Sequence, residues 1–214
     1  MSYSIEIIRR NQNKTSNWSG GTTTELYIYP KDSYYSERNF KWRLSSAKVE
    51  VDHSQFTALE GIARLIMIVE GELVLEHEGH HSARLKAFEQ DCFNGEWSTT
   101  SFGKVTDFNL MMAKGYKGKL EAISVKSGEV KDMLLHNNIN DIEEFSQITE
   151  AFYIVKGAVK IATTEKEKVS LNEGDLVLVT RIQGEPISEF RIYSNCEGES
   201  KIIRATIFYE KWYY

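Results

Sequence analysis

Polar and apolar residues alternate with a period of two along much of the chain, and this pattern is typical of β-strands. Residues 40–45 (Phe-Lys-Trp-Arg-Leu-Ser) place aromatic or aliphatic side chains on one face and mainly polar ones on the other. Similar patterns predict strands over residues 23–29, 105–111 and 201–209. Helical spacing of apolar residues is confined to two short candidates, residues 130–135 and 141–145. Many short strands separated by turn residues predict an all-β fold.

A strand–turn–strand pattern occurs twice. Ile-Val-Glu-Gly ends at Gly71 and Ile-Val-Lys-Gly ends at Gly157, and a further predicted strand follows each glycine. An aspartate comes later in each copy, at Asp91 and Asp175, so the glycines lie 86 residues apart and the aspartates 84. This order of strands and turns resembles the jelly-roll barrel of the cupin superfamily. The repeat therefore predicts a bicupin.

The two predicted barrels divide the chain near residues 115–120. The N-terminal cupin-like barrel is expected over residues 1–115 and the C-terminal one over residues 116–214. We expect the second barrel to be degenerate, because residues 152–181 carry no charged set like that of the first half. Its expected role is packing or pairing, within the chain or with another copy.

Composition narrows the class of protein. Apolar residues make up 41% and charged residues 27%, the balance of a globular chain rather than a disordered one. The longest apolar runs have five residues, too short for a membrane span, and no secretory signal is apparent. Two cysteines fit a reducing compartment. The net charge of −5 is spread along the chain, which argues against a nucleic-acid surface. We expect a cytoplasmic protein without a membrane or nucleic-acid partner.

Several motifs in the first half point to one family. They occur in the order NWSGGTTTEL, FKWRLSSAKV, FTALEGIAR, VEG and DFNLM, over residues 17–26, 40–49, 56–64, 69–71 and 107–111. This arrangement resembles the HutD/Ves family of cupin-like proteins and covers residues 5–115. Ser19, Leu59-Glu60 and Ala63 depart from the family pattern. The resemblance implies a regulatory or ligand-binding role beside bacterial histidine degradation, and it implies no catalysed reaction.

Metal chemistry is the usual activity of catalytic cupins, which hold the ion with histidines and a carboxylate. Their first motif needs His-x-His shortly before a glutamate, and the matching residues 56–69 contain no histidine. The sequence HEGHH of residues 77–81 lies where a hairpin is predicted to turn, at Gly79. We expect a solvated polar loop there, with a metal site as the alternative. No catalytic metal and no cofactor are predicted.

Polar residues on otherwise apolar strands are the remaining candidates for chemistry. Arg43 and Ser45 share one strand face, and Asp107 and Asn109 share another. Arg64 opens the apolar run of residues 65–69, and Glu25 is in phase with Thr23 after the glycine pair Gly20 and Gly21. In one interpretation, Arg43 forms an ion pair with Glu25 or Asp107 that ties two strands together, or these side chains simply face water. The other gathers them in a polar pocket, with the glycines allowing close backbone approach and Trp18 as a wall. Core packing is the expected role of Trp42.

Two arginines, carboxylates and an amide suit a small ligand that carries a carboxylate and N–H groups. With the family resemblance, they predict a cupin-like protein that binds a small carboxylated metabolite without a metal, such as formiminoglutamate or urocanate. A homodimer is a family-level expectation. One rival is a metal-dependent cupin oxygenase or isomerase. The other is a structural or regulatory interaction protein whose first barrel is plugged by side chains.

Overall fold

The computed structural model describes residues 3–133, 145–162, 168–182, 190–194 and 196–210. Within these ranges strands predominate, and the helical elements are two single 3-10 turns, Arg10–Gln12 and Tyr35–Glu37. The prediction of an all-β fold is confirmed. In the described part of the chain, no helix has the length and apolar character needed to cross a membrane.

The strands are numbered in chain order. They are β1 (Tyr3–Ile8), β2 (Lys14–Trp18), β3 (Gly21–Tyr29), β4 (Trp42–Val49), β5 (His53–Gln55), β6 (Ile62–His77), β7 (Ser82–Lys86), β8 (Gln90–Asn94), β9 (Thr99–Phe102), β10 (Val105–Ala113), β11 (Tyr116–Lys126), β12 (Val130–Asp132), β13 (Phe145–Lys156), β14 (Ala158–Ala162), β15 (Lys168–Asn172), β16 (Leu176–Ile182), β17 (Arg191–Ser194) and β18 (Glu199–Glu210).

The strands form two compact units. The first unit comprises residues 13–118, and the second comprises residues 1–12 with residues 119–214. The sequence division places residues 1–12 with the first half, whereas in the structure they group with the C-terminal half. The physical reason is strand pairing: β1 runs antiparallel to β16, from Tyr3 opposite Arg181 to Ile8 opposite Leu176.

The strand orders of the two units correspond. In the first unit, β4, β10, the first half of β6 and β8 lie side by side, and the second half of β6 pairs with β7 and β9. The second unit has β11, β18, β13 and β16 in one sheet and β15, β14, β17 and β12 in the other. The long strand β6 thus matches β13 and β14 together.

The backbone hydrogen bonds fix the offset between the units. The amide of Ile68 donates to the Glu89 carbonyl, and the amide of Ile154 donates to the Asp175 carbonyl. Both pairs are related by a shift of 86 residues. In each turn the acidic side chain also accepts a hydrogen bond from the backbone amide three residues earlier. The residue that matches Asp175 is therefore Glu89 and not Asp91, which lies within β8.

The predicted helices are not borne out where the structure describes them. Residues 130–132 form the strand β12, which pairs antiparallel with β17 through Val130 opposite Tyr193 and Asp132 opposite Arg191. Residues 134–135 and 141–144 lie outside the described residues, and Phe145 begins β13. A long-range partner overrides the local helical spacing of residues 130–133.

The interior of the second unit combines an apolar cluster with an ion pair. Buried apolar side chains fill it, including Phe152, Ile154 and Ile202. Beside them Arg204 donates from Nε and Nη2 to the two carboxylate oxygens of Glu150, at 2.7 and 2.8 Å. Thr206 adds a hydroxyl hydrogen bond of 3.0 Å to the same carboxylate. The two residues lie 54 positions apart, and no local pattern in the sequence predicts their pairing.

Loss of Glu150 should destabilise the second unit strongly. Glu150→Gln leaves the buried Arg204 without its carboxylate, and removal of one partner of a buried pair costs about 3–5 kcal/mol. The matched control is Glu121→Gln. Glu121 also lies near Arg204, at 3.4 Å, but its side chain is 56% exposed, so the cost should stay below about 1 kcal/mol. Urea denaturation measures both free energies of unfolding, and equal losses would contradict the predicted difference.

Candidate functional site

A cavity of about 830 Å³ lies within the first unit. Strands β2, β3, β4 and β10, the start of β6 and residues 51–57 contribute its lining. Seven of the nine predicted site residues line it: Trp18, Gly20, Arg43, Ser45, Arg64, Asp107 and Asn109. Glu25 and Gly21 are not among the lining residues. The structure therefore gathers most of the predicted set around one space.

Strand pairing explains why these side chains converge. β10 lies between β4 and β6, so Asn109 is opposite Ser45 on one side and Ile66 on the other. Asp107 and Asn109 are two residues apart, and both face the cavity, whereas the intervening Phe108 is fully buried in the opposite direction. The predicted sharing of faces is confirmed for this strand.

Arg64 carries the least compensated charge of the cavity lining. Its Nη2 donates to Asn109 Oδ1 at 2.8 Å, and its Nε has no acceptor. Its guanidinium carbon lies 4.6 Å from the ring centre of Phe56 and 5.1 Å from that of Phe93. Among the described residues, no carboxylate lies within salt-bridge distance of it. Burial lowers the pKa of Arg64 to about 10, so the side chain stays positively charged at neutral pH.

Asn109 links Arg64 to a buried carboxyl group. Its amide nitrogen donates to Asp107 Oδ1 at 2.7 Å, while its amide oxygen accepts from Arg64. Burial raises the pKa of Asp107 to about 6, and the hydrogen bond from Asn109 and the charge of Arg64 limit that rise. Asp107 therefore changes its charge close to neutral pH.

Arg43, the other arginine of the lining, has a carboxylate partner. Its Nε donates to Glu25 Oε2 at 2.8 Å and its Nη1 donates to Ser45 Oγ at 3.0 Å. The guanidinium also lies over the ring of Tyr35 at 4.5 Å. The interpretation of Arg43 as a tie between strands is thus realised, with Glu25 on β3 as the partner. Arg43 nevertheless faces the cavity, so both interpretations apply to it.

The two glycines have packing reasons for lacking a side chain. A Cβ at Gly21 would lie 1.9 Å from the carbonyl oxygen of Lys48, so the close approach of β3 to β4 requires glycine. A Cβ at Gly20 would meet the ring of Trp18 at 2.1 Å. Gly21 is not among the residues that line the cavity, whereas Gly20 is. Trp18 lines the cavity as predicted, and Trp42 is buried in packing with Tyr27 and Tyr29.

The lining also includes residues that the sequence did not single out, and three of them carry aromatic or imidazole rings. Phe56 and Tyr35 place aromatic rings against the two arginines, and His53 on β5 also lines the cavity. Phe56 begins the family motif of residues 56–64, so the motif could have indicated it as a site residue. Tyr35 follows an irregular stretch with no periodicity, so nothing in the sequence marked it.

The histidine-rich hairpin of residues 77–81 differs from the solvated polar loop that the sequence predicts. His77 was expected in a solvated loop, but its side chain is fully buried. Its position is in phase with the inward-facing Leu73 and Leu75 of β6, which is why it points into the unit. His81 is exposed, as expected for a residue beyond the turn. None of the residues of this hairpin lines the cavity.

Comparison with solved structures identifies the fold. A conserved protein of unknown function from Pseudomonas aeruginosa PAO1 matches with a TM-score of 0.76 at 21% identity, over 95% of this chain and 98% of that one. HutD from Pseudomonas fluorescens SBW25 matches with a TM-score of 0.67 at 21% identity, over 98% and 100%. An oxalate decarboxylase variant from Bacillus subtilis matches with a TM-score of 0.63 at 7% identity, over 97% and 78%. These likenesses show a cupin-like fold.

Sequence comparison identifies the family. No curated protein matches the chain at a significant level. The HutD family model, by contrast, matches residues 10–200, which is most of the chain and includes the cavity lining. The chain therefore belongs to the HutD family.

Proposed function

We propose that the chain is a cupin-like protein that binds a small carboxylated metabolite in the cavity of the first unit. The observation that carries the proposal is Arg64, a buried cation that faces the cavity and is held by one neutral amide. A buried charge without an opposite charge is costly, and a ligand carboxylate would supply the missing partner. The binding needs no metal.

The shape and chemistry of the cavity indicate the class of ligand. Its volume of about 830 Å³ lies within the range of small-molecule sites. A carboxylate would bind at Arg64, and an amine, amidine or ring N–H at Asp107 and Asn109 would complete the contacts. Phe56 and Tyr35 offer aromatic surface beside these groups. Formiminoglutamate and urocanate both combine a carboxylate with nitrogen groups, so they are our candidate ligands.

The biological role that we propose is regulatory or accessory to histidine catabolism, in the cytoplasm. Family membership supports the role, and the two free cysteines, Cys92 and Cys196, are in keeping with a reducing compartment. We further propose that both units are jelly-roll barrels, which makes the chain a bicupin. The corresponding strand orders and the constant offset of 86 residues support this arrangement. A homodimer is part of the same proposal.

The rival function is a metal-dependent cupin enzyme that acts on a small carboxylated metabolite. Such an enzyme needs about three ligating side chains around one open position. The described residues that line the cavity include one histidine, His53, and one carboxylate, Asp107. This set favours binding through Arg64 over chemistry at a metal. Elemental analysis that finds one ion per chain in the cavity would favour the enzyme.

Removal of the Arg64 charge should abolish ligand binding. Arg64→Met keeps the apolar stem and removes the guanidinium, so urocanate and formiminoglutamate should no longer raise the melting temperature. In the wild type, a ligand at 100 times its dissociation constant should stabilise the fold by about 2.7 kcal/mol. Thermal unfolding with and without each metabolite measures the shift.

The matched control is Arg84→Met, which removes an exposed arginine that pairs with Glu72 on the surface of the same unit. Its ligand-induced shift should equal that of the wild type. If Arg64→Met fails to fold and neither metabolite stabilises the wild type, Arg64 is a structural strut and the binding proposal is wrong.

The raised pKa of Asp107 predicts a pH-dependent stability. The folded chain holds this proton with a pKa of about 6 against the ordinary value of 3.8, so it binds the proton more tightly than the unfolded chain. The free energy of unfolding should therefore fall by about 3 kcal/mol as the pH rises from about 4 to beyond 6. Asp107→Asn should remove this component. Urea denaturation at several pH values tests it, and parallel profiles for the two proteins would contradict the assignment.

A further inference from the structure

Three metal-ligating side chains converge at the hairpin between β6 and β7. His77 ends β6, His81 follows the turn, and Asp91 lies on the neighbouring strand β8. The Nε2 atom of His77 lies 2.9 Å from Asp91 Oδ2, and the Nε2 atom of His81 lies 3.1 Å from both oxygens of the same carboxylate. One ligand atom from each of the three residues lies within 4.8 Å of the others. The cluster is separate from the cavity lining.

The position of His77 is fixed by its surroundings. Its ring is buried and lies 4.5 Å from the ring of Phe93 and 5.7 Å from that of Trp97. Its Nδ1 is 2.8 Å from the hydroxyl oxygen of Thr99, and that hydroxyl donates to the Trp97 carbonyl at 3.3 Å. Either tautomer of His77 satisfies these contacts, and the one whose Nδ1–H donates to Thr99 turns the lone pair of Nε2 towards Asp91. An outer hydrogen bond of this kind is what orients metal-binding histidines in proteins.

The hairpin also holds His81 in place. The amide of His77 donates to the His81 carbonyl at 2.9 Å, and the amide of His80 donates to the His77 carbonyl at 3.0 Å. The ring of His80 is not one of the three ligands and stacks instead on Trp97 with centroids 3.7 Å apart. The His81 side chain is 42% exposed, so water reaches the cluster from this side.

In that tautomer the lone pair of His77 Nε2 and the carboxylate of Asp91 are both acceptors that face one space, where a single cation would bind both. We propose that His77, His81 and Asp91 bind a divalent transition-metal ion of the Zn²⁺ class, with a water molecule on the exposed side as the fourth ligand. Two imidazole nitrogens and one carboxylate oxygen are suitable ligands for such an ion.

The nitrogen–oxygen distances need little adjustment. In a tetrahedral Zn²⁺ site, nitrogen and oxygen ligands lie about 3.3 Å apart, because each is about 2.0–2.1 Å from the ion. The present separations of 2.9 and 3.1 Å open to that value by a few tenths of an ångström. The exposed His81 side chain is free to make this movement. The bound ion would fasten the hairpin to β8, a structural role that does not depend on the function proposed for the cavity.

The test uses the full chain without a histidine tag, stripped of metal by a chelator. Zn²⁺ binding is measured by titration calorimetry, and Co²⁺ binding by the visible absorption of a four-coordinate ion. We expect one ion per chain in the wild type. His81→Ala should lower the Zn²⁺ affinity by about 100-fold or more, while Thr99→Val, which keeps the three ligands, should lower it by about 10- to 100-fold.

The matched control is His80→Ala, which removes the neighbouring exposed histidine and leaves the three ligands intact. Its Zn²⁺ affinity should stay within about threefold of the wild type, because His80 contributes only its stacking on Trp97. Absence of stoichiometric Zn²⁺ binding by the wild type would overturn the proposal. Equal losses in His81→Ala and His80→Ala would also overturn it, because they would indicate weak binding to surface histidines. In either case a proton, rather than a metal ion, joins His77 to Asp91.

Discussion

A buried arginine needs compensation for its charge, and the two units meet this requirement differently at the same strand positions. In the second unit, Arg204 on β18 is held by both oxygens of Glu150 on β13. A shift of 86 residues matches β13 to β6, and Arg64 then stands where Glu150 stands. The strand register matches Asn109 to Arg204 in the same way. In the first unit a cation replaces this carboxylate and an amide replaces this cation, so Arg64 has no carboxylate within salt-bridge distance among the described residues.

The other features of the cavity follow from that charge. Its nearest carboxyl group, Asp107, is reached through the Asn109 amide, and burial raises the pKa of Asp107 so that its own charge depends on pH. The rings of Phe56 and Phe93 stabilise the guanidinium only in part, since a cation–π contact contributes about 0.5–2 kcal/mol. Arg43, by contrast, has a carboxylate partner in Glu25 and a further acceptor in Ser45. Such an imbalance lowers the stability of the unit, and a bound carboxylate of the kind proposed above would offset that cost.

Much of this arrangement could be predicted from the sequence, because a period of two determines which side chains share a face. That rule predicts that Asp107 shares a face with Asn109 and Arg43 with Ser45. It also places His77 on the face of Leu73 and Leu75. The glycine turn at Gly79 instead led to the prediction that His77 is solvent-exposed. The pair of Glu150 and Arg204 could not be found in this way. Each residue alone is compatible with a solvent-exposed face, and only the pairing of β13 with β18 brings them together.

Strand partners far apart in the chain account for the remaining differences. Residues 130–132 have helical spacing in the sequence, but they pair with β17 as a strand. Residues 3–8 lie in the first half of the sequence, but they pair with β16 of the second unit. Local spacing carries no information about either partner. The repeat can be recognised in the sequence because each glycine turn is a short local motif. The correspondence of Glu89 with Asp175 becomes visible only in the structure, where their carbonyls accept hydrogen bonds from the amides of Ile68 and Ile154.

Phe93 connects the cavity to the histidine cluster. Its ring lies 5.1 Å from the Arg64 guanidinium and 4.5 Å from the His77 ring, so one buried side chain packs against both groups. A substitution of Phe93 would disturb both groups at once and could not distinguish their roles. Arg64 and His81 can be changed separately, because Arg64 faces the cavity and the exposed His81 lies beyond the hairpin turn. The shared aromatic side chain makes the two sites neighbours in the core, while their polar groups remain chemically independent.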